Sequence, residues 1–147
     1  ADDQEILVEL FADAAPISVE NFLNLIEDGF YDGLTMHRII KDFMIQGGDG
    51  SAGSDTTIKG EFKSNGVDNS LSHVRGVISM ARSNDPNSAT SQFFIVHKDS
   101  TFLDGSYAAF GAIVTGFETL DYYAEVATSS SDRPLEEVVI KSIVRVK

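Results

Sequence analysis

The stretch Glu5 to Phe11 alternates apolar and polar positions as a half-buried strand does, and Ala14-Ala15-Pro16 then breaks it, because proline brings no ladder donor. Val19, Phe22, Leu23 and Ile26 follow at i, i+3, i+4 and i+7. That spacing predicts an amphipathic helix, with Ser18 able to cap its start and Gly29 suited to the left-handed position past its end. After a turn at Asp32-Gly33, Met36 to Ile40 and Phe43 to Gln46 read as neighbouring strands separated by Lys41-Asp42. Gly47 to Thr57 is a polar surface loop, and Ile58 to Phe62 is at best a short strand. Beyond polar Lys63 to Gly76, the apolar runs Val77 to Ala81, Gln92 to His97 and Ala108 to Val114 have strand length. Phe117, Leu120, Tyr123, Ala124 and Ala127 outline a second helix. The polar stretch Thr128 to Pro134 is a solvated connector, and Val138 to Val146 is a closing strand. Many short strands with two isolated helices cannot make a doubly wound parallel sheet, which needs a helix between successive strands. An antiparallel barrel or sandwich with helical caps is the natural solution.

Composition narrows what such a fold does. A chain of 147 residues forms one domain, 1–147, able to bury its own core. Its formal charge of −12 opposes the phosphate attraction that dominates nucleic-acid affinity, so no nucleic-acid or anionic-membrane partner is expected. There is no cysteine, hence no disulfide, no thiolate nucleophile and no Cys-based zinc site. No apolar run approaches the ~18 residues of a membrane span. The chain opens Ala1-Asp2-Asp3 without a basic segment before an apolar one, so no signal peptide is expected in this sequence.

Familiar chemical motifs are weak here. Gly48-Asp49-Gly50-Ser51-Ala52-Gly53 matches G-x-G-x-x-G, yet it leads into a β-like run and not the helix N-terminus that a pyrophosphate requires. His37, His73 and His97 lack ligand spacing and no G-x-S-x-G elbow exists, so neither a metal nor a cofactor is expected and no hydrolase triad is marked. Two segments resist a purely structural reading. Met36 to Asp49 places Arg38 and Gln46 among residues that would otherwise be core strand, and Ser91-Gln92 precedes the aromatic run Phe93-Phe94. Buried polar side chains need partners. If Arg38, Gln46 and Gln92 converge beside Phe43, Met44 and Phe94, they make an apolar cup with a cation at its rim; otherwise Arg38 is a structural ion pair.

At these residues the chain resembles the cyclophilin family. His37-Arg38-Ile39-Ile40 with Phe43-Met44-Ile45-Gln46-Gly47-Gly48-Asp49 is similar to that family's signature, and Ser91-Gln92-Phe93-Phe94-Ile95 to its second. Phe102-Leu103-Asp104-Gly105 with Phe110-Gly111 is similar to its third, and Pro16, Glu20, Asn21 and Phe22 match its first helix. The resemblance implies a mainly β, closed, antiparallel eight-stranded barrel capped by two α-helices, and peptidyl-prolyl isomerase activity that assists protein folding. By position, Arg38 is the catalytic cation, supported by Gln46 and Phe43. Phe43, Met44, Phe94 and Leu103 shape a proline pocket, and Gln46 and Gln92 hold Arg38 and the substrate backbone. Ala81 and Arg82 line the peptide groove, while Ala52 or Gly53 falls in a neighbouring pocket.

Phe102 stands where the family often has tryptophan, which removes an indole donor, so binding of cyclosporin-like cyclic peptides is expected to be weak. Tyr107 replaces a common histidine and still closes the pocket with a ring. The family's first strand normally precedes the segment equivalent to Glu5–Phe11, and only four residues remain before it here. The alternatives are a trimmed N-terminus and a barrel that closes differently. Implied partners are proline-containing peptides and unfolded or folding proteins, met by a cytoplasmic monomer. Two other readings stay open: a non-catalytic proline-peptide binding module on this scaffold, and a small-ligand carrier with an open barrel interior.

Overall fold

The computed structural model describes residues 4–50 and 56–146. Six strands are found among them: β1 Leu7–Leu10, β2 Arg38–Ile40, β3 Met44–Gly47, β4 Val77–Met80, β5 Phe93–Val96 and β6 Ala109–Thr115. Two helices accompany them, α1 Pro16–Glu27 and α2 Phe117–Ala124. The strands form one sheet in the order β1-β6-β4-β5-β3-β2, with each pair of neighbours antiparallel.

The expected eight strands and closed barrel are thus corrected to a six-stranded sheet with β1 and β2 at its two ends. Of the two strands not found, Ile58 makes only a single bridge, to Ala89. The segment expected as a closing strand, Val138 to Val146, makes one bridge through Val139 to Thr35. It does run beside the chain before β2, since Met36 N–H donates to Val138 O and Ile140 N–H to Leu34 O. Gly33, left-handed at φ +84°, also donates to Ile140 O, but these contacts do not extend into a regular ladder.

α1 starts on Pro16, whose fixed φ suits the first helical position, but its N-cap Ala15 offers no side-chain acceptor. Ser18 is not the cap the sequence leads one to expect. It sits inside the first turn, and the acceptor is Glu61 from a distant loop. Its Oε1 takes the Ser18 amide at 2.6 Å and the Ser18 hydroxyl at 2.8 Å, while Oε2 takes the Ile17 amide at 3.2 Å. A buried carboxylate is tolerable there because three donors and the positive end of the helix surround it.

The main core lies between one face of the sheet and the helices. Phe22, Tyr31, Phe93 and Phe110 meet there with ring centroids 5.1–5.5 Å apart, filling the interior that a ligand carrier would need open. Gly48 (φ +86°) lets the chain pass tightly here, since a Cβ would stand 2.8 Å from the Tyr31 ring. Strand alternation sends the remaining side chains to the other face. Ile45, Phe93 and Ile95 join the main core, whereas Met44, Phe94 and Val96 build a second apolar cluster with Leu103, Val77 and Ala109.

Candidate active site

The second cluster does not close over. Above it lies a hollow of about 140 Å³ lined by Arg38, Phe43, Met44, Gln46, Ala81, Arg82, Phe94, Leu103 and Tyr107. A closed cavity of roughly 150 Å³ accommodates a benzene molecule, so this volume suits one five- or six-membered ring and little more. All of the lining residues are ones the sequence singles out. Ala52 and Gly53 lie outside the described residues.

Strand register explains the convergence. Arg38 on β2 faces Gln46 on β3, and Gln46 in turn faces Phe94 on β5. The guanidinium Nη1 donates to Gln46 Oε1 at 3.3 Å, and Gln46 Nε2 donates to Gln92 Oε1 at 2.9 Å. Gln92 therefore holds the row from behind without itself lining the hollow. Arg38 is exposed and has no carboxylate partner among the described residues, which sets aside the ion-pair alternative. Buried Met44, Phe94 and Leu103 form the floor. Phe102 also stays outside the lining: 74% exposed, it lies against Phe43 with centroids 5.6 Å apart and extends the apolar rim.

Arg82 forms the far wall. Its guanidinium is sandwiched between the rings of Phe62 and Tyr107, at 4.8 and 4.7 Å, and bonds the carbonyls of Ser106, Ser83 and Asn84. Tyr107 is thereby fixed edge-on to Phe94, at 5.8 Å.

Two side-chain groups that sequence spacing does not reveal support the hollow. Fully buried His73 stacks on Phe94 at 6.0 Å, with Nδ1 2.9 Å from Asp104 Oδ1 and Nε2 2.9 Å from Ser79 Oγ. Burial pushes the His73 pKa down, and Asp104 offsets this only in part. Burial alone would raise Asp104, but bonds from the Ser72 hydroxyl and from the amide and ring of His73 hold it below its ordinary range. This Asp-His-Ser row has the partners of a hydrolytic triad, yet Ser79 is fully buried, so no substrate can reach it. Its effect is to tie the Leu103 turn to the back of Phe94.

The second group holds the Lys41-Asp42 turn that carries Phe43. Asp42 is left-handed (φ +64°), and its amide donates to His97 Nδ1 at 2.9 Å. With Nδ1 accepting, Nε2 carries the proton and donates to Asp121 of α2 at 3.1 Å.

Residues 1–145 match the family model for cyclophilin type peptidyl-prolyl cis-trans isomerase/CLD. The chain is 44% identical over 142 residues to the peptidyl-prolyl cis-trans isomerase CYP18-1 of Arabidopsis thaliana, covering 95% of this chain and 88% of that one. It is 38% identical over 151 residues to peptidyl-prolyl cis-trans isomerase B of Escherichia coli, covering 95% and 92%. Among solved structures it is similar to a Cryptosporidium parvum cyclophilin type peptidyl-prolyl cis-trans isomerase crystallised in the presence of the dipeptide Ala-Pro. The TM-score is 0.85 and identity 33%, covering 97% of this chain and 92% of that one.

Proposed function

The chain belongs to the cyclophilin-type peptidyl-prolyl cis-trans isomerases, and from that premise we propose that Arg38 lowers the rotational barrier of an Xaa-Pro bond whose ring sits in the hollow. Rotation about a peptide bond faces ~18–20 kcal/mol because the nitrogen lone pair is delocalised into the carbonyl. At the twisted transition state that lone pair is localised on nitrogen, which becomes an acceptor it was not in either ground state. A donor fixed beside it binds the transition state preferentially, and only such differential binding accelerates a step.

Arginine has the chemistry this requires, because it stays protonated and offers several rigidly placed N–H groups, so it also grips the prolyl carbonyl. Gln46, itself held by Gln92, limits where the guanidinium swings. Phe43, Met44, Phe94 and Leu103 immobilise the ring and exclude water that would weaken the charge. Neither cofactor nor proton transfer enters. The observation that carries this reading is a guanidinium with no carboxylate partner among the described residues, on the rim of a ring-sized apolar hollow. The relative crystallised with Ala-Pro supports a proline-containing ligand, and extended Xaa-Pro segments of folding proteins are the clients. Measuring cis/trans exchange of an Xaa-Pro peptide by NMR with catalytic amounts of protein tests it. Chemical-shift changes on titration without faster exchange would convert the reading into that of a binding module.

A further inference from the structure

The hollow differs from the rest of the molecule in charge. A chain of formal charge −12 lines it with two arginines and no aspartate or glutamate. Arg75 and Arg145 pair with carboxylates elsewhere, whereas Arg38 and Arg82, like Arg133 outside the hollow, pair with none among the described residues. Arg82 is also held in place. Its Nε–H, both Nη1 hydrogens and one Nη2 hydrogen are used on carbonyls, leaving one Nη2–H without a partner among the described residues. Stacking between Phe62 and Tyr107 prevents the side chain from swinging away, so a ligand meets its charge without first ordering it.

We propose that Arg82 is a specificity-determining residue that recognises an anionic side chain on the residue preceding the Xaa-Pro pair, so that the enzyme favours Xaa-Pro bonds in acidic sequence. The inference rests on the function proposed above. Its geometry follows from strand order. Arg82 lies two residues past the end of β4, β4 lies three strands from β2, and at ~4.8 Å per strand the two arginine-bearing walls stand roughly 14 Å apart. In the proposed pose Arg38 grips the prolyl carbonyl, the ring rests on Met44 and Phe94, and the chain before the proline runs toward the Arg82 wall. Extended residues advance ~3.4 Å each, so the residue before Xaa stands roughly 7 Å past the proline, about half the separation of the walls, and the long side chains of Arg82 and of an acidic residue there span the rest. No lining carboxylate competes for the cation: Asp104, nearest in sequence to Leu103, is occupied by Ser72 and His73.

The test compares three tetrapeptides, Glu-Ala-Pro-Phe, Gln-Ala-Pro-Phe and Lys-Ala-Pro-Phe, by NMR exchange with the whole protein. At about 0.1 M salt, where the ~10 Å screening length mutes the overall negative charge but not a direct contact, kcat/KM should fall in the order Glu, Gln, Lys, with roughly tenfold between the ends. Near 1 M salt, where the length is ~3 Å, the ratio should shrink to about twofold. Arg82→Gln should reduce the Glu-to-Lys ratio to about threefold or less, and Arg82→Lys, which keeps the charge but loses the fork, should fall between. A parent ratio near one at low salt overturns the proposal whether or not either variant folds, and so does a folded Arg82→Gln that keeps the parent ratio. Failure of all three peptides to be turned over would instead sink the function on which it rests.

Discussion

Replacing Arg38 by alanine separates the proposed catalysis from the fold. Arg38 is exposed on an end strand, and its one described side-chain bond is the 3.3 Å contact to Gln46. Little stability rests on it, so the midpoint of thermal unfolding should move by no more than the equivalent of about 0.5 kcal/mol. The loss in rate should be far larger. Removing one preorganised donor costs roughly 10²- to 10³-fold, about 2.7–4 kcal/mol. The rim is open to water and the bond that steadies the guanidinium is long, so the lower end applies: kcat/KM should drop about 10²-fold. Arg38→Lys keeps a charge without the planar fork and should recover no more than about tenfold of this. Gln46→Ala should cost less than Arg38→Ala. The double variant should be little worse than Arg38→Ala alone, because Gln46 acts through the group already removed. Rates come from a protease-coupled assay or NMR exchange on one Xaa-Pro peptide, with circular dichroism confirming the fold. A folded Arg38→Ala with parental kcat/KM would refute the catalytic reading.

Three further outcomes follow from the same geometry. Glu61→Ala strips the acceptor from two amides and a hydroxyl at the start of α1 and should lower unfolding free energy by about 3 kcal/mol in urea; a loss under about 1 would show that the cap is not needed. His73 is held neutral by burial while its unfolded counterpart titrates at its ordinary value of 6.5, so the unfolded state binds more protons below that pH. Stability should therefore fall as pH drops below 6.5, by at most about 1.4 kcal/mol per unit from this group, and His73→Asn should flatten that segment of the curve. Asp104, depressed in the folded state, adds a loss of the same sign at lower pH. Phe102→Trp restores an indole donor on the exposed rim and should tighten cyclosporin binding about fivefold by calorimetry, as one added hydrogen bond would; unchanged affinity would show that Phe102 lies outside the contact.

Most of this architecture is readable from local pattern, because period-two and period-3.6 alternation report which face of an element is buried. The helix predicted from Val19, Phe22, Leu23 and Ile26 exists, although its innermost side is Ser18, Val19, Phe22 and Leu25, with Leu23 and Ile26 half-buried. The strands around Arg38, Gln46 and Phe94 fall within a residue or two of their expected limits. Val138 to Val146 has strand composition but lacks a regular partner, and β-propensity describes a fit to neighbours rather than an intrinsic state. The lining of the hollow was legible because it sits in contiguous motifs. Its supports were not. Glu61 reaches α1 across 43 residues, and His73 meets Asp104 across 31. An acidic residue in a polar loop and a lone histidine carry no periodicity that announces such meetings.

Because β3 and β5 send alternate side chains to opposite clusters, the sheet acts as a partition between two compartments of the protein. Ile45 and Ile95 belong to the main core, while Met44 and Phe94, one step along the same strands, floor the hollow. Evolution can thus reshape the hollow's side one residue at a time and leave the main core untouched. An engineer seeking new sequence preference has the same freedom, provided each change keeps to its own side of the wall.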